Sequence, residues 1–407
     1  MKTPFPSFPN PFRPGAGHMP PYLAGRKEEE LEFRRLLEQS TILQNLILTG
    51  LRGVGKTVLL EAFKPIAIDK GWFWVGTDMA ESVSVSEENL AIRLLTDLSV
   101  LTSSATITED DAKQAGFTPS RTTRTTLNYE TLRGFYDKTP GLASDKLKYV
   151  LEYIWRFIPA NNKHGVIFAY DESQNLSDMA ANNQYPLSVL LDVFQSLQRK
   201  NMCYMLILTG LPTLFPKLVE TRTYSERMFH IIFLNQLNEE SSREAILKPI
   251  ENAQCPVRFD DGSVKIIIRL SGGYPYFIQF ICKEVYDRWI QKIEDGQRPS
   301  VPTNEIIQKL DSDFYAGRWA RVTDRQRELL SVIAHLPNPN SEFTVQDIVI
   351  ASRKFLQKPF GSSHVNQILV ALSKYGLVYK NRHGKYSFAV PMLSHFVKRQ
   401  VSLRPLR

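Results

Sequence analysis

The chain has little cysteine: three residues in 407, Cys203, Cys255 and Cys282. They are widely spaced and form no CxxC pair, so neither a disulfide framework nor a cysteine-based zinc site is supported. No apolar run approaches the roughly 20 residues that a membrane-spanning helix needs. The N-terminus, MKTPFPSFPNPFRPGAGHMPPYLAGR, lacks the apolar stretch of a signal peptide, and its prolines predict an extended arm over residues 1–20. Repeats at solenoid periods are also missing. These absences point to a cytoplasmic protein with reduced thiols and no membrane partner. One region is short of acids. From Ala320 to Arg407 there are 14 lysines and arginines against 4 aspartates and glutamates, whereas the preceding 319 residues hold 36 against 38. The net charge of +8 therefore belongs to the C-terminal fifth. A localised positive region is the footprint of a polyanion binder, or else a solvated basic surface with no partner. The 43% hydrophobic and 23% charged shares are those of an ordinary globular protein, and 407 residues exceed one compact core, so two or three domains are expected.

The stretch LILTGLRGVGKTVLL, residues 46–60, carries the strongest chemical signal. Leu46–Thr49 is short, apolar and bounded by Gly50, as in a strand buried on both faces. A helix is expected from Lys56 to about residue 65. Between them G-L-R-G-V-G-K-T matches G-x-x-x-x-G-K-[ST]. Gly50, Gly53 and Gly55 let the backbone wrap closely and turn its N–H groups inward as an anion nest. The loop residue Val54 and the first-turn residue Val58 join this candidate contact set. The helix that follows presents its positive N-terminus to phosphate. In such a loop Lys56 reaches the terminal phosphates of a nucleotide, and the Thr57 hydroxyl can ligate Mg²⁺.

A metal-dependent nucleotide site needs a carboxylate at the end of a second strand. GVIFAYDESQNL provides one: a strand over Gly165–Tyr170, then Asp171 and Glu172. Asp171 is the candidate for the Mg²⁺ shell, and Glu172 is placed to polarise an attacking water. The two motifs are expected at the tips of neighbouring strands. A third strand, CYMLILTG, ends in Thr209, which either hydrogen-bonds the attacked phosphate or simply ends the strand. The adjacent acids fit an ATP-hydrolysing enzyme using ATP and Mg²⁺ better than a kinase or a passive binder.

These motifs resemble the AAA+ ATPases, closest to the branch that holds archaeal origin-recognition initiators and STAND NTPases. Besides the phosphate loop and the Asp-Glu strand, PYLAGRKEEELEFRRLL (Pro21–Leu37) is similar to the branch's opening motif, and LSGGYPYFIQFIC (Leu270–Cys282) to its "GG-x-P" start of a lid helix. The likeness covers roughly residues 20 to 320. It implies that Tyr22, Leu23 and Ala24 line the adenine pocket, that Arg26 braces it, and that Pro275 opens the lid near the nucleotide. Many AAA+ proteins carry a sensor arginine at the start of this helix, but here Pro275 and Tyr276 stand there. The family also completes its site with an arginine from a neighbouring subunit. That implies a homo-oligomer, with Arg227 in the matching region and Arg222 as its rival.

The alternation of strands and helices predicts an α/β fold: a parallel-sheet P-loop AAA+ core over residues 21–235. A helical lid over 236–319 and a C-terminal winged-helix domain over 320–407 complete it. Strands are expected at 46–50, 72–77, 166–170, 203–209 and 229–234. The Thr- and Ser-rich stretch 102–143 reads as an insertion, partly flexible. In the C-terminal module, helices over Arg321–His335, Phe343–Arg353 and Ser362–Lys374 precede a hairpin in YGLVYKNRHGKYSFAVP, the winged-helix order. A DNA-reading third helix would present His364, Asn366, Gln367 and Lys374 to the major groove and keep Val365, Ile368, Leu369 and Leu372 in the core. The wing would bring Lys380, Arg382, His383 and Lys385 to phosphate. Two readings follow. One is an ATPase switch that couples nucleotide state to assembly on double-stranded DNA. The other is a STAND-like signalling or defence ATPase whose winged helix contacts a protein partner, with ATP-responsive transcriptional regulation as a weaker third.

Overall fold

Five strands build the main sheet: β1 (Asn45–Gly50), β2 (Trp72–Val75), β3 (Gly165–Tyr170), β4 (Tyr204–Gly210) and β5 (Phe229–Leu234). Strands β1, β3 and β4 are buried along their whole length, as apolar runs covered by helices on both faces must be. Strand β5 alternates buried and more open positions and lies at one edge. The order across the sheet is β2-β3-β4-β1-β5, with parallel pairing between β2 and β3, β3 and β4, and β4 and β1. This corrects one expectation: the loop strand β1 and the acidic strand β3 are not neighbours, because β4 lies between them. The computed structural model describes residues 8–103, 106–107, 125–158, 163–296, 300–382 and 384–401.

Two compact units emerge. One comprises Lys27–Thr49 and Leu59–Phe233. Its helices are α1 (Lys27–Leu37), α2 (Lys56–Asp69, whose first turn belongs to the other unit), α3 (Glu87–Thr102), α4 (Tyr129–Lys138), α5 (Ala143–Trp155), α6 (Pro186–Arg199) and α7 (Leu214–Thr221). Helix α4 falls inside the stretch expected to be an insertion. Asn128 caps it by accepting the Thr131 N–H at 3.0 Å, and it buries Leu132, Phe135 and Tyr136. The rest of that stretch lies largely outside the described residues. Asn45, fully buried at the start of β1, fixes the register: its Oδ1 accepts the Leu206 N–H of β4 at 2.8 Å and the Gln198 amide of α6 at 2.8 Å.

The other unit joins Met1–Arg26, Gly50–Val58 and Leu234–Arg407. Helices α8 (Glu239–Ala253), α9 (Asp261–Ser271), α10 (Pro275–Glu294) and α11 (Thr303–Leu310) form the helical region expected there. A π-helical turn, Asp311–Ala316, leads out of it. Next come α12 (Asp324–Ala334), β6 (Phe343–Thr344), α13 (Val345–Phe355), α14 (Ser362–Lys374), β7 (Val378–Arg382), β8 (Lys385–Phe388) and α15 (Leu393–Gln400). Thr323 and Thr344 start α12 and α13 with reciprocal capping boxes. The hairpin strands join β6 in the order β6-β8-β7. Three helices and a hairpin match the order read from the sequence, while α15 had no counterpart there. The described part of the proline-rich arm, residues 8–20, forms no helix or strand and is not free. Phe12 is only 2% exposed and stacks on Phe259, and Asn10 donates to the Lys283 carbonyl at 3.0 Å and the Asp287 carboxylate at 2.7 Å. Among the described residues no helix is long and apolar enough to cross a membrane.

Candidate functional site

The phosphate loop adopts a backbone that its glycines make possible. Gly53 and Gly55 have φ of 78° and 92°, a region costly for residues with a Cβ. A Cβ on Gly53 would also stand 3.3 Å from that of Tyr276. Lys56 starts the 14-residue helix α2, so the N-terminal amides of a full helix follow the loop directly. The Lys56 ammonium donates to the Gly50 and Leu51 carbonyls, each at 3.0 Å, and so lies along the loop. Arg26, only 6% exposed, donates to the Val54 and Asn235 carbonyls, each at 2.9 Å. It therefore braces the loop backbone itself. Ala24 is buried, while Tyr22 and Leu23 are half-buried, with the Tyr22 hydroxyl donating to Glu244 at 3.4 Å. Pro275 is the first residue of α10, and the next N–H, of Tyr276, donates to the Gly53 carbonyl at 3.2 Å. The GGYP turn thus docks the lid helix on the loop. Thr57 packs beneath the arm, its methyl 3.1 Å from where a Cβ of Gly17 would lie.

The sheet unit carries the acids. Asp171 is buried, and its Oδ1 accepts the Glu172 N–H at 2.7 Å. Its backbone donates to the Thr77 carbonyl at 3.2 Å and accepts the Met79 N–H at 2.8 Å, which extends the strand tip. Glu172 is exposed and left-handed at φ 49°, ψ 32°, a strained conformation for a residue with a side chain. Beneath the tip, the buried Tyr170 hydroxyl donates to Asp97 at 2.8 Å, and Arg93 Nε donates to the same carboxylate at 3.1 Å. Burial, then the Asp97 charge, pushes the Tyr170 phenol well above its ordinary range. One residue here escaped the sequence reading. The Gln174 amide donates to the Glu172 carboxylate, while its Oε1 accepts the Leu211 N–H at 3.1 Å, tying the tips of β3 and β4 together. An amide two residues past the acids has no periodicity to betray it. Lys217 of α7 donates to the Gln174 carbonyl at 2.6 Å, and burial pulls its ammonium pKa down.

The register supplies a further observation. Tyr170 pairs with Leu208, so one step on, Asp171 and Thr209 fall side by side on one face. The Thr209 hydroxyl is fully buried and, like that of Thr49 at the tip of β1, has no hydrogen-bond partner among the described residues. A buried unpaired hydroxyl costs roughly 1–3 kcal/mol, so two at the ligand-binding edge of one sheet call for a polar ligand. Of the two candidate arginines, Arg222 is closed on Asp192 through Nε at 3.0 Å and an Nη at 2.9 Å, with the Tyr224 hydroxyl on the same carboxylate at 2.6 Å. Arg227 is exposed on the single turn Ser225–Met228.

In the C-terminal module α14 divides as its pattern predicts. Val365, Ile368, Leu369 and Leu372 are buried, while His364, Asn366, Gln367 and Lys374 are exposed. Lys380 is exposed on β7, and Lys385 on β8 is half-buried. Arg382 ends β7, and His383 lies outside the described residues. Val370, 56% exposed, and Tyr375, 45% exposed, add apolar surface to this helix.

No curated protein matches the chain by sequence. A family profile described as a domain of unknown function (DUF8462) matches residues 312–397. Among solved structures, the Walker-type ATPase PABY2304 of Pyrococcus abyssi is similar over 92% of this chain and 96% of its own, with TM-score 0.59 and 16% identity. The ORC2 protein of Aeropyrum pernix, solved as ADPNP–ADP complexes, is similar over 95% of this chain and 96% of its own, with TM-score 0.51 and 14% identity. Its ADP form covers the same shares with TM-score 0.50 and 15% identity. The chain shares its α/β fold with these structures.

Proposed function

We propose that this chain is an ATPase that binds ATP with Mg²⁺ and hydrolyses it to ADP and phosphate. The observation that carries the reading is the loop Gly50–Val58, with left-handed Gly53 and Gly55 and Lys56 opening a 14-residue helix. Loop amides and the Lys56 ammonium bind the phosphates. The complexes of the A. pernix ORC2 protein with ADPNP and ADP support adenine as the base, taken by Tyr22, Leu23 and Ala24. Among the described residues no cluster of three His, Cys, Asp or Glu could hold a metal alone. Mg²⁺ on a nucleotide needs only one or two protein oxygens besides phosphate, and the Thr57 hydroxyl and Asp171 carboxylate are hard donors of that kind. The ion neutralises phosphate charge when bound. Glu172 orients and polarises the attacking water, its strained backbone consistent with a positioned base. Thr209 gives its unpaired hydroxyl to the attacked phosphate, and Arg227 is offered to a neighbouring copy in a homo-oligomer. ATP turnover by the purified chain tests this: hydrolysis lost in Lys56→Ala supports it, and hydrolysis unchanged in that variant contradicts it.

The C-terminal module binds double-stranded DNA as a winged helix, on the strength of its charge and the exposed polar face of α14. The rival reading, a signalling ATPase whose module docks on a protein, draws support from exposed Val370 and Tyr375. A gel shift of the full chain with ATP decides between them. Duplex affinity that falls steeply with salt supports DNA, and no affinity at low salt removes it. A cytoplasmic setting suits either reading.

A further inference from the structure

A cleft of about 200 Å³ lies where the helical region meets the C-terminal module, within the unit that holds Leu234–Arg407. The nucleotide reading gives it no role. Helices α9, α10 and α11, the π-helical turn and α15 all line it. Its apolar floor is well covered: Phe277 is 2%, Leu310 6% and Tyr315 3% exposed. The Tyr315 hydroxyl already donates to the Pro391 carbonyl at 2.9 Å, which leaves that ring as apolar lining. Three basic side chains, all exposed, share the wall: Arg269, His395 and Arg399. Among the described residues no carboxylate lines the cleft.

The three are not equally committed. Arg399 Nε donates to Asp311 at 2.9 Å, so that guanidinium is partly neutralised. Arg269 has no carboxylate partner among the described residues. Burial first, then the Arg399 and Lys398 charges, pull the His395 pKa below its ordinary value. An anion placed with these groups offsets their repulsion. Met392, also on the wall, stands left-handed at φ 55°, ψ 15° just ahead of α15. A Cβ on Gly272 would meet its sulfur at 3.0 Å, so Met392 is packed on the turn that ends α9. Strained residues of this kind gather at ligand clamps and switch regions.

A basic rim over an apolar floor selects a ligand with both characters. Inorganic phosphate would leave the floor uncovered, and a neutral hydrocarbon would leave Arg269 unpaired. A planar carboxylate matches the guanidinium fork. The volume is below the roughly 300–1,000 Å³ of drug-sized sites, which limits the body to one ring or a short chain. We propose that this cleft binds a small carboxylic acid with an apolar body, its carboxylate held by Arg269 and His395 and its body on Phe277, Leu310 and Tyr315. Such a ligand touches α9, α10, α11 and α15 at once and ties the helical region to the C-terminal module. The proposal does not depend on the nucleotide reading.

The test is calorimetric titration of the full chain with benzoate and hexanoate, with inorganic phosphate and hexanol as controls. Both acids should bind with a dissociation constant of about 1 mM or tighter, and both controls at least about tenfold more weakly. Arg269→Ala should weaken benzoate binding about tenfold, and Arg269→Lys should recover part of it. Ile307→Trp, at a half-buried lining position, should fill the cleft and block both acids. Lys56→Ala should leave benzoate affinity unchanged, since the phosphate loop is a separate site. Arg269 is exposed, so its variants keep the test open should Ile307→Trp fail to fold. No binding of either acid, phosphate bound as well as benzoate, or benzoate lost in Lys56→Ala each overturns the proposal. So does an Arg269→Ala variant that melts earlier but binds benzoate as before, which would make Arg269 only a favourable charge at the end of α9.

Discussion

The phosphate loop and helix α14 both offer groups that suit phosphate, but they specify their chemistry differently. At the loop the specification is in the backbone. Gly53 and Gly55 hold conformations closed to other residues, Arg26 locks the Val54 carbonyl, and the Tyr276 N–H closes on Gly53. In the sheet unit the hydroxyls of Thr49 and Thr209 are buried and, among the described residues, unpaired, an arrangement that is costly without a ligand. On α14 nothing buried asks for a partner. Its core face is satisfied, and its polar face is a row of exposed side chains. The loop is therefore committed to one class of ligand, whereas α14 is compatible with DNA or with protein.

If that difference is real, substitutions at the nucleotide site should cost far more than substitutions on the C-terminal module. The largest effect is expected from Glu172→Gln: ATP affinity kept and single-turnover hydrolysis reduced by roughly 10²–10⁴-fold. Unchanged hydrolysis would remove the glutamate from the role of base. Lys56→Ala comes next, weakening Mg-ATP binding by about a hundredfold, from the lost charge-assisted phosphate bonds. Gly53→Ala should cost about tenfold in the same titration, from left-handed strain and the contact at Tyr276. A silent Gly53→Ala would mean the loop's backbone is not what selects the ligand. The smallest effects belong to Lys380→Ala and Lys385→Ala. Each should weaken duplex binding a few-fold, evenly across sequences, and reduce the slope of log affinity against log salt by about 1. A large, sequence-dependent loss there would erase the contrast between the two regions.

Legibility in the sequence follows the same division. Strand, loop and helix around Lys56 could be read because glycine placement and apolar runs are local signals. The acids at the end of β3 and the buried and exposed faces of α14 were readable for the same reason. The insertion of β4 between β1 and β3 was not, since strand order depends on pairings far apart in sequence. Phe12 stood among prolines with no periodicity, and its partner Phe259 is remote in the chain. Helix α4 hid in a Thr-rich stretch whose composition outweighed its Asn128 cap and its three buried residues. Gln174 acts through contacts that only the folded chain brings together.

The most direct measurement is a crystal structure of the chain grown with magnesium and ADPNP. The account predicts the triphosphate on the amides of Gly53–Thr57 with Lys56 at its terminal phosphates, and one Mg²⁺ sharing the Thr57 hydroxyl and the Asp171 carboxylate. A nucleotide bound elsewhere, or an ion that meets neither Thr57 nor Asp171 even through water, would contradict it.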